Sequence, residues 1–183
     1  MDNGYKKVLW GIFIITFNIN LGIIRILPPF IGFIIILRGI SSLYKETQIE
    51  SFNKAKIFAI IISGIATIGE FTGLLSIELT NSFIFNEVCI VFSKIIELIM
   101  FYKLFNGSIE YINNNDKYDL ACESIKKLRF YIITSVINII FLNLTLIFDI
   151  KIFNIIVFVM LIILRIYLMM SISSFKNVVV QEL

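Results

Sequence analysis

The chain has 183 residues, 58% hydrophobic and 16% charged, with a mean hydropathy of +0.94 and a formal net charge of +3. Globular domains are about 45–50% apolar and about 25% charged, so a soluble chain of this composition would have too little polar surface to cover its core. The small positive charge forms no basic stripe interleaved with aromatics, which argues against nucleic acid as a partner, and the absence of histidine removes the commonest general base, zinc ligand and pH switch.

Apolar runs covering most of the chain imply an all-α, polytopic membrane helix bundle, with residues 1–183 as a single transmembrane domain and the lipid bilayer as its surroundings. A span needs about 20 apolar residues, and six spans are expected, at about 8–24, 29–44, 57–79, 85–105, 130–148 and 152–172. Lys6 and Lys7 precede the first run as they would in a signal peptide. No small-x-small cleavage site follows, so the run is read as a retained helix. Arg25 and Pro28-Pro29 mark a tight reversal, because proline lacks a donor and restricts the residue before it. The second run is short and contains Arg38, and a re-entrant hairpin is its alternative. The polar segment Lys45–Lys56 is expected to be a connector, able to lie on the membrane surface as a short amphipathic helix. A turn near Thr80-Asn81-Ser82 follows the third span, and Asn113-Asn114-Asn115-Asp116 is the expected loop after the fourth. Tyr118–Leu128 reads as a helix with acids at its start and bases at its end, in the order the helix dipole favours. Asp149-Ile150-Lys151 turns the chain into the sixth span.

Orientation follows from the positive-inside rule. Lys6, Lys7, Lys45, Lys54, Lys56, Lys117, Lys126, Lys127, Arg129 and Lys176 all fall on one side of a six-span bundle, while the other side has little beyond Arg25 and Lys151. Both ends are therefore expected in the cytoplasm. Usage of Ile, Asn, Lys and Phe suits an AT-rich bacterial genome, so the expected location is the bacterial cytoplasmic membrane. Cys89 lies in an apolar run and Cys122 in a polar stretch, which suggests neither a disulfide nor a metal site.

Charges inside a bilayer are costly and are usually paired or functional. Glu70 in the third span and Lys94 and Glu97 in the fourth form the candidate buried polar cluster. Glu70 and Lys94 each lie about 18 Å from the intervening turn at 1.5 Å per residue, which predicts an ion pair at matched depth. Glu97, one turn further on, is the expected unpaired member, hydrogen-bonded to Asn18, Asn20, Asn138 or Asn143. Ala59, Ser63, Ala66, Glu70 and Gly73 form a stripe, with Gly69-x-x-x-Gly73 beside it, that predicts a close helix approach. The structural interpretation of the cluster is a pair that fixes helix register. The functional one is a proton or cation relay, or a polar solute site. Arg38 and Arg165 read as charges snorkelling to the inner interface, Glu78 and Glu87 as solvated residues beside the outer turn, and Trp10 as an interfacial anchor.

The stretch Ile26-Leu27-Pro28-Pro29-Phe30-Ile31-Gly32-Phe33, followed by Gly39-Ile40-Ser41-Ser42-Leu43, resembles an uncharacterised family of small multi-spanning membrane proteins of Gram-positive bacteria. Its pattern is Leu-Pro-Asp-Phe-Ile-Gly, an apolar run, then Gly-Leu-x-x-Leu. Pro29 stands here where that pattern has Asp, so any role of the acid is absent or altered. The resemblance implies a membrane location and no chemistry. Gly32 and Gly39, seven apart on one face, predict close packing of the first hairpin. With no cofactor, nucleotide, metal or nucleophile motif, an enzyme is not expected. A non-enzymatic accessory, sensing or assembly component is, working as an oligomer of its own chain or with a membrane-protein partner. A small solute or ion transporter using Glu70, Lys94 and Glu97 is the alternative.

Overall fold

The computed structural model describes residues 1–17, 20–21, 24–25, 28–74, 83–148 and 151–180. The described residues form six helices and one short strand pair: α1 Asp2–Phe17, β1 Asn20–Leu21, β2 Ile24–Arg25, α2 Pro29–Thr47, α3 Glu50–Leu74, α4 Phe83–Asn114, α5 Tyr118–Phe148 and α6 Lys151–Val180. The strands pair antiparallel, Asn20 opposite Arg25 and Leu21 opposite Ile24. Within α3, α5 and α6, the segments Glu50–Phe71, Tyr118–Thr145 and Phe153–Val178 are long and apolar enough to cross a membrane. A helical chain with three such segments fits a membrane protein.

Local chemistry sets several boundaries. Pro29 opens α2, where its fixed φ suits a helical first turn and its missing donor costs nothing. The same helix closes on Gln48, left-handed at φ 58°, whose N–H donates to the Tyr44 carbonyl at 2.8 Å. Asp116, also left-handed at φ 57°, makes the turn between α4 and α5 at the expected loop; Asp tolerates that conformation better than most residues.

Other boundaries differ from expectation. The first helix stops at Phe17, not near 24, and the strand pair occupies the interval before Pro28. Lys45–Lys56 is not a separate surface helix: α2 runs to Thr47 and α3 starts at Glu50. Likewise α4 continues to Asn114, and the expected Tyr118–Leu128 helix is the first part of α5. Hydropathy locates the edge of an apolar layer, whereas a helix satisfies its own backbone hydrogen bonds on both sides of that edge. Asn18, Glu78, the Thr80–Ser82 turn and the Asp149-Ile150 turn lie outside the described residues, as do the side-chain surroundings of Asn20, Gly73 and Glu87.

Each helix packs on its neighbours in sequence, and α1 packs on α6, so the six close into a ring. The α2–α3 and α4–α5 connections are short, as antiparallel neighbours require. The densest packing gathers at one end of the ring, where Tyr5, Phe52, Phe101, Phe105, Leu168 and Ile172 are fully buried. There Phe105 stacks on Tyr131 at 5.9 Å and meets Phe175 edge-on at 5.2 Å, and the Tyr5 hydroxyl donates to Ser108 Oγ at 2.8 Å.

Small residues do bring two helices close, in α1 and α2. A Cβ at Gly11 would lie 2.6 Å from the Gly32 carbonyl oxygen, and one at Gly39 would lie 2.8 Å from the Gly4 carbonyl oxygen. Gly32 and Gly39 therefore act as their spacing predicted, against two glycines of α1. At Gly69 a Cβ would meet none of the described residues within 4 Å.

Candidate functional site

The polar site lies where α4, α5 and α6 face one another. From α4 come Lys94, Glu97 and Phe101, spaced three and four residues apart and so on one face. On α5, Tyr131, Ser135 and Asn138 repeat the same spacing. The sixth helix supplies Arg165. Glu97 lies fourteen residues into α4 and Arg165 fourteen residues into α6. Two helices flanking a third in an up-and-down arrangement run in the same direction, so equal offsets put these two charges at one depth.

Glu97 is the centre of the cluster. Its Oε1 forms an ion pair with Arg165 Nη2, and its Oε2 accepts from Lys94 Nζ at 3.3 Å. Both members of the Glu97–Arg165 pair are buried, each 5% exposed, while Lys94 is partly open. The Arg165 guanidinium also lies 5.7 Å from the centre of the Phe101 ring, within cation–π range. The carboxylate is thus flanked by a cation on each side.

A cavity of about 50 Å³ opens beside the pair, lined by Lys94, Glu97, Leu98, Tyr131, Ser135, Asn138, Ile139, Leu161, Leu164 and Arg165. A water needs about 10–15 Å³ by this measure, so there is room for several water-sized bodies. Among the described residues, Asn138 Oδ1 and Arg165 Nη1 are buried there without a hydrogen-bond partner. One is an acceptor and the other a donor, so a hydroxyl group or a water bridging them would satisfy both.

The sequence-predicted residues separate into two groups. Lys94 and Glu97 come together as neighbours on α4. Glu70 is half-buried on α3, and the ion pairs that Lys94 and Glu97 form with described residues do not include it. Glu97 is not the unpaired member of the set, since two cations flank it. Arg165 does not snorkel; it is the buried counter-ion, while Arg38 is exposed. Of the asparagines, Asn138 lines the cavity and Asn143 Nδ2 donates to the Ile139 carbonyl of its own helix at 2.8 Å. Among the described residues no three His, Cys, Asp or Glu side chains gather as a metal site. Cys89 and Cys122 are exposed free thiols on α4 and α5.

No family model, no curated protein and no solved structure matches the chain.

Proposed function

We propose that the chain is a six-span, multi-pass protein of the bacterial cytoplasmic membrane with both ends in the cytoplasm, and that it works as a non-enzymatic accessory, sensing or assembly component. The observation that carries this is the closed charge cluster. Glu97 is neutralised from two sides and holds α4 to α6 across α5, which is how a fixed scaffold keeps charge inside lipid. The outer faces also suit contact with lipid or another membrane protein: Ile133, Ile140, Ile155, Phe158 and Ile163 of α5 and α6 are exposed. The test is affinity capture of the intact protein from native membranes, which should return a reproducible membrane-protein partner or a second copy. Recovery of the bare monomer alone, after crosslinking before extraction, would count against the proposal. The topology is tested separately by a single cysteine in the Asn113–Asp116 loop, with Cys89 and Cys122 replaced by Ser. Labelling by an impermeant reagent should require opened cells.

Passage of a small solute or ion is the second reading, and the cavity with its unpartnered Asn138 and Arg165 atoms favours it. Here Ser135→Leu is the informative variant, because it fills the cavity and leaves the ion pair in place. Flux into vesicles containing the parent protein, abolished by Ser135→Leu, would establish this reading. No flux of protons, alkali cations or halides would remove it.

A further inference from the structure

At the seam where α1 meets α6, a groove of about 430 Å³ is lined by Lys6, Leu9, Trp10, Phe13, Met169 and Lys176. Its polarity is graded along its length. Lys6 and Lys176 lie at one end. Trp10 and Phe13 lie four and seven residues further along α1, and Met169 lies seven residues back along α6. Two turns of helix cover about 10 Å, so both helices run from an ammonium to apolar surface over the same distance. Lys176 is also within two residues of the end of the apolar segment Phe153–Val178, where a spanning helix would leave the hydrocarbon. Asp2 lies between the two lysines, 2.6 Å from Lys6 Nζ and 3.9 Å from Lys176 Nζ, which leaves one positive charge in surplus.

We infer that this groove binds an anionic glycerophospholipid of the inner leaflet. Its phosphodiester lies between Lys6 and Lys176, and an acyl chain runs along Trp10, Phe13 and Met169. The charge complements the surplus at one end, and the apolar wall continues at the depth where the chain begins. A zwitterionic lipid fits the apolar wall equally well and brings no net charge to the lysines. The site therefore selects by headgroup charge. Asp2 sets the strength of that selection, by holding both ammoniums in place while cancelling one of them. The inference rests on the membrane reading above.

Trp10 is the chain's single tryptophan and lines the groove, so its fluorescence reports occupancy directly. The full chain is reconstituted into vesicles of phosphatidylcholine and phosphatidylglycerol in which one lipid or the other carries brominated acyl chains that quench tryptophan. A basic residue at the membrane surface adds about fivefold to the affinity for anionic lipid. The surplus of one charge thus predicts about fivefold preferential quenching by the brominated phosphatidylglycerol. Lys6→Gln with Lys176→Gln leaves the Asp2 carboxylate alone and should bring the ratio to one or below, and Asp2→Asn should raise it severalfold; a merely structural role for Asp2 would not increase it. Equal quenching of the parent protein by both lipids, or a preference that survives the double lysine variant, overturns the inference while leaving the membrane reading intact. Absence of quenching by either lipid overturns both.

Discussion

The buried ion pair should be the most sensitive point of the bundle. Glu97 and Arg165 have side chains only 7% exposed, so each has lost nearly all of its hydration. Removing one partner of a buried pair costs about 3–5 kcal/mol, and insertion scales put a lone charge at the centre of a membrane helix at about 2.5–3.5 kcal/mol. The two estimates overlap near about 3 kcal/mol for Glu97→Leu, which strands Arg165 beside Lys94. Arg165→Leu should cost less, because Lys94 still neutralises Glu97 at 3.3 Å. With both replaced by leucine the remaining charge is Lys94, which is partly open, and most of the loss should return. For a chain of this size about 3 kcal/mol is a fall of roughly 6–12 °C in Tm. Thermal unfolding of the three variants and the parent in one detergent completes the cycle. Lys127→Gln is the control: its partner Glu123 is 57% exposed, where water and salt screen the pair, so its Tm should stay close to the parent's. A Glu97→Leu protein within 2 °C of the parent, where about 6 °C is the smallest fall expected, would refute the assignment. So would a double variant as unstable as the two singles added together.

Three further outcomes follow from particular contacts. Ser108→Ala should cost about 1–3 kcal/mol by leaving the buried Tyr5 hydroxyl without its acceptor, whereas Tyr5→Phe should cost about 1 kcal/mol, since Ser108 still donates to the Leu104 carbonyl; chemical denaturation compares the two. Gly11→Ala should destabilise by about 1–3 kcal/mol by pushing α1 off the Gly32 carbonyl, while Gly64→Ala, facing open space, should stabilise by up to about 1 kcal/mol, so equal Tm shifts would contradict the packing. The hydrogen bond from Lys6 holds the Asp2 carboxyl below its usual range. A depressed carboxylate contributes stability that is present above its ordinary value and lost as pH falls through the depressed one. The stability gap between the parent and Asp2→Asn should therefore close in acid, and a gap unchanged down to pH 2, about two units below the ordinary carboxylate range, would remove the contribution.

Composition alone was enough for the membrane class, because no arrangement of so apolar a chain covers itself with polar surface. The α1–α2 packing was half legible: Gly32 and Gly39 announced a close approach by their seven-residue spacing, but their partners Gly4 and Gly11 repeat that spacing on α1 and drew no expectation. The strand pair at 20–25 was hidden, since two-residue strands carry no periodicity. Helix ends are not legible from hydropathy wherever polar residues continue a helix, as from Asn106 to Asn114 in α4.

The missed residue of the site is Arg165, and the reason is geometric. Matching depths across a helical hairpin considers only neighbours in sequence, which directed attention to Glu70 opposite Lys94. A ring places α4 and α6 on either side of α5, and an arginine is long enough to reach across a helix that contributes small or polar side chains, here Ser135 and Asn138. The available signal was the equal offset of opposite charges in two alternate apolar runs: Glu97 and Arg165 each stand about a dozen residues into theirs. Uncompensated charge in lipid is so unfavourable that an isolated arginine in one span calls for an acid at the same level in any helix of parallel direction. Applied to the whole chain, that rule turns Glu97 from the cluster's spare member into its centre. It also makes Lys94 the cation whose removal the bundle tolerates best: Lys94→Met should leave Glu97 neutralised by Arg165 and cost less than any variant that separates those two.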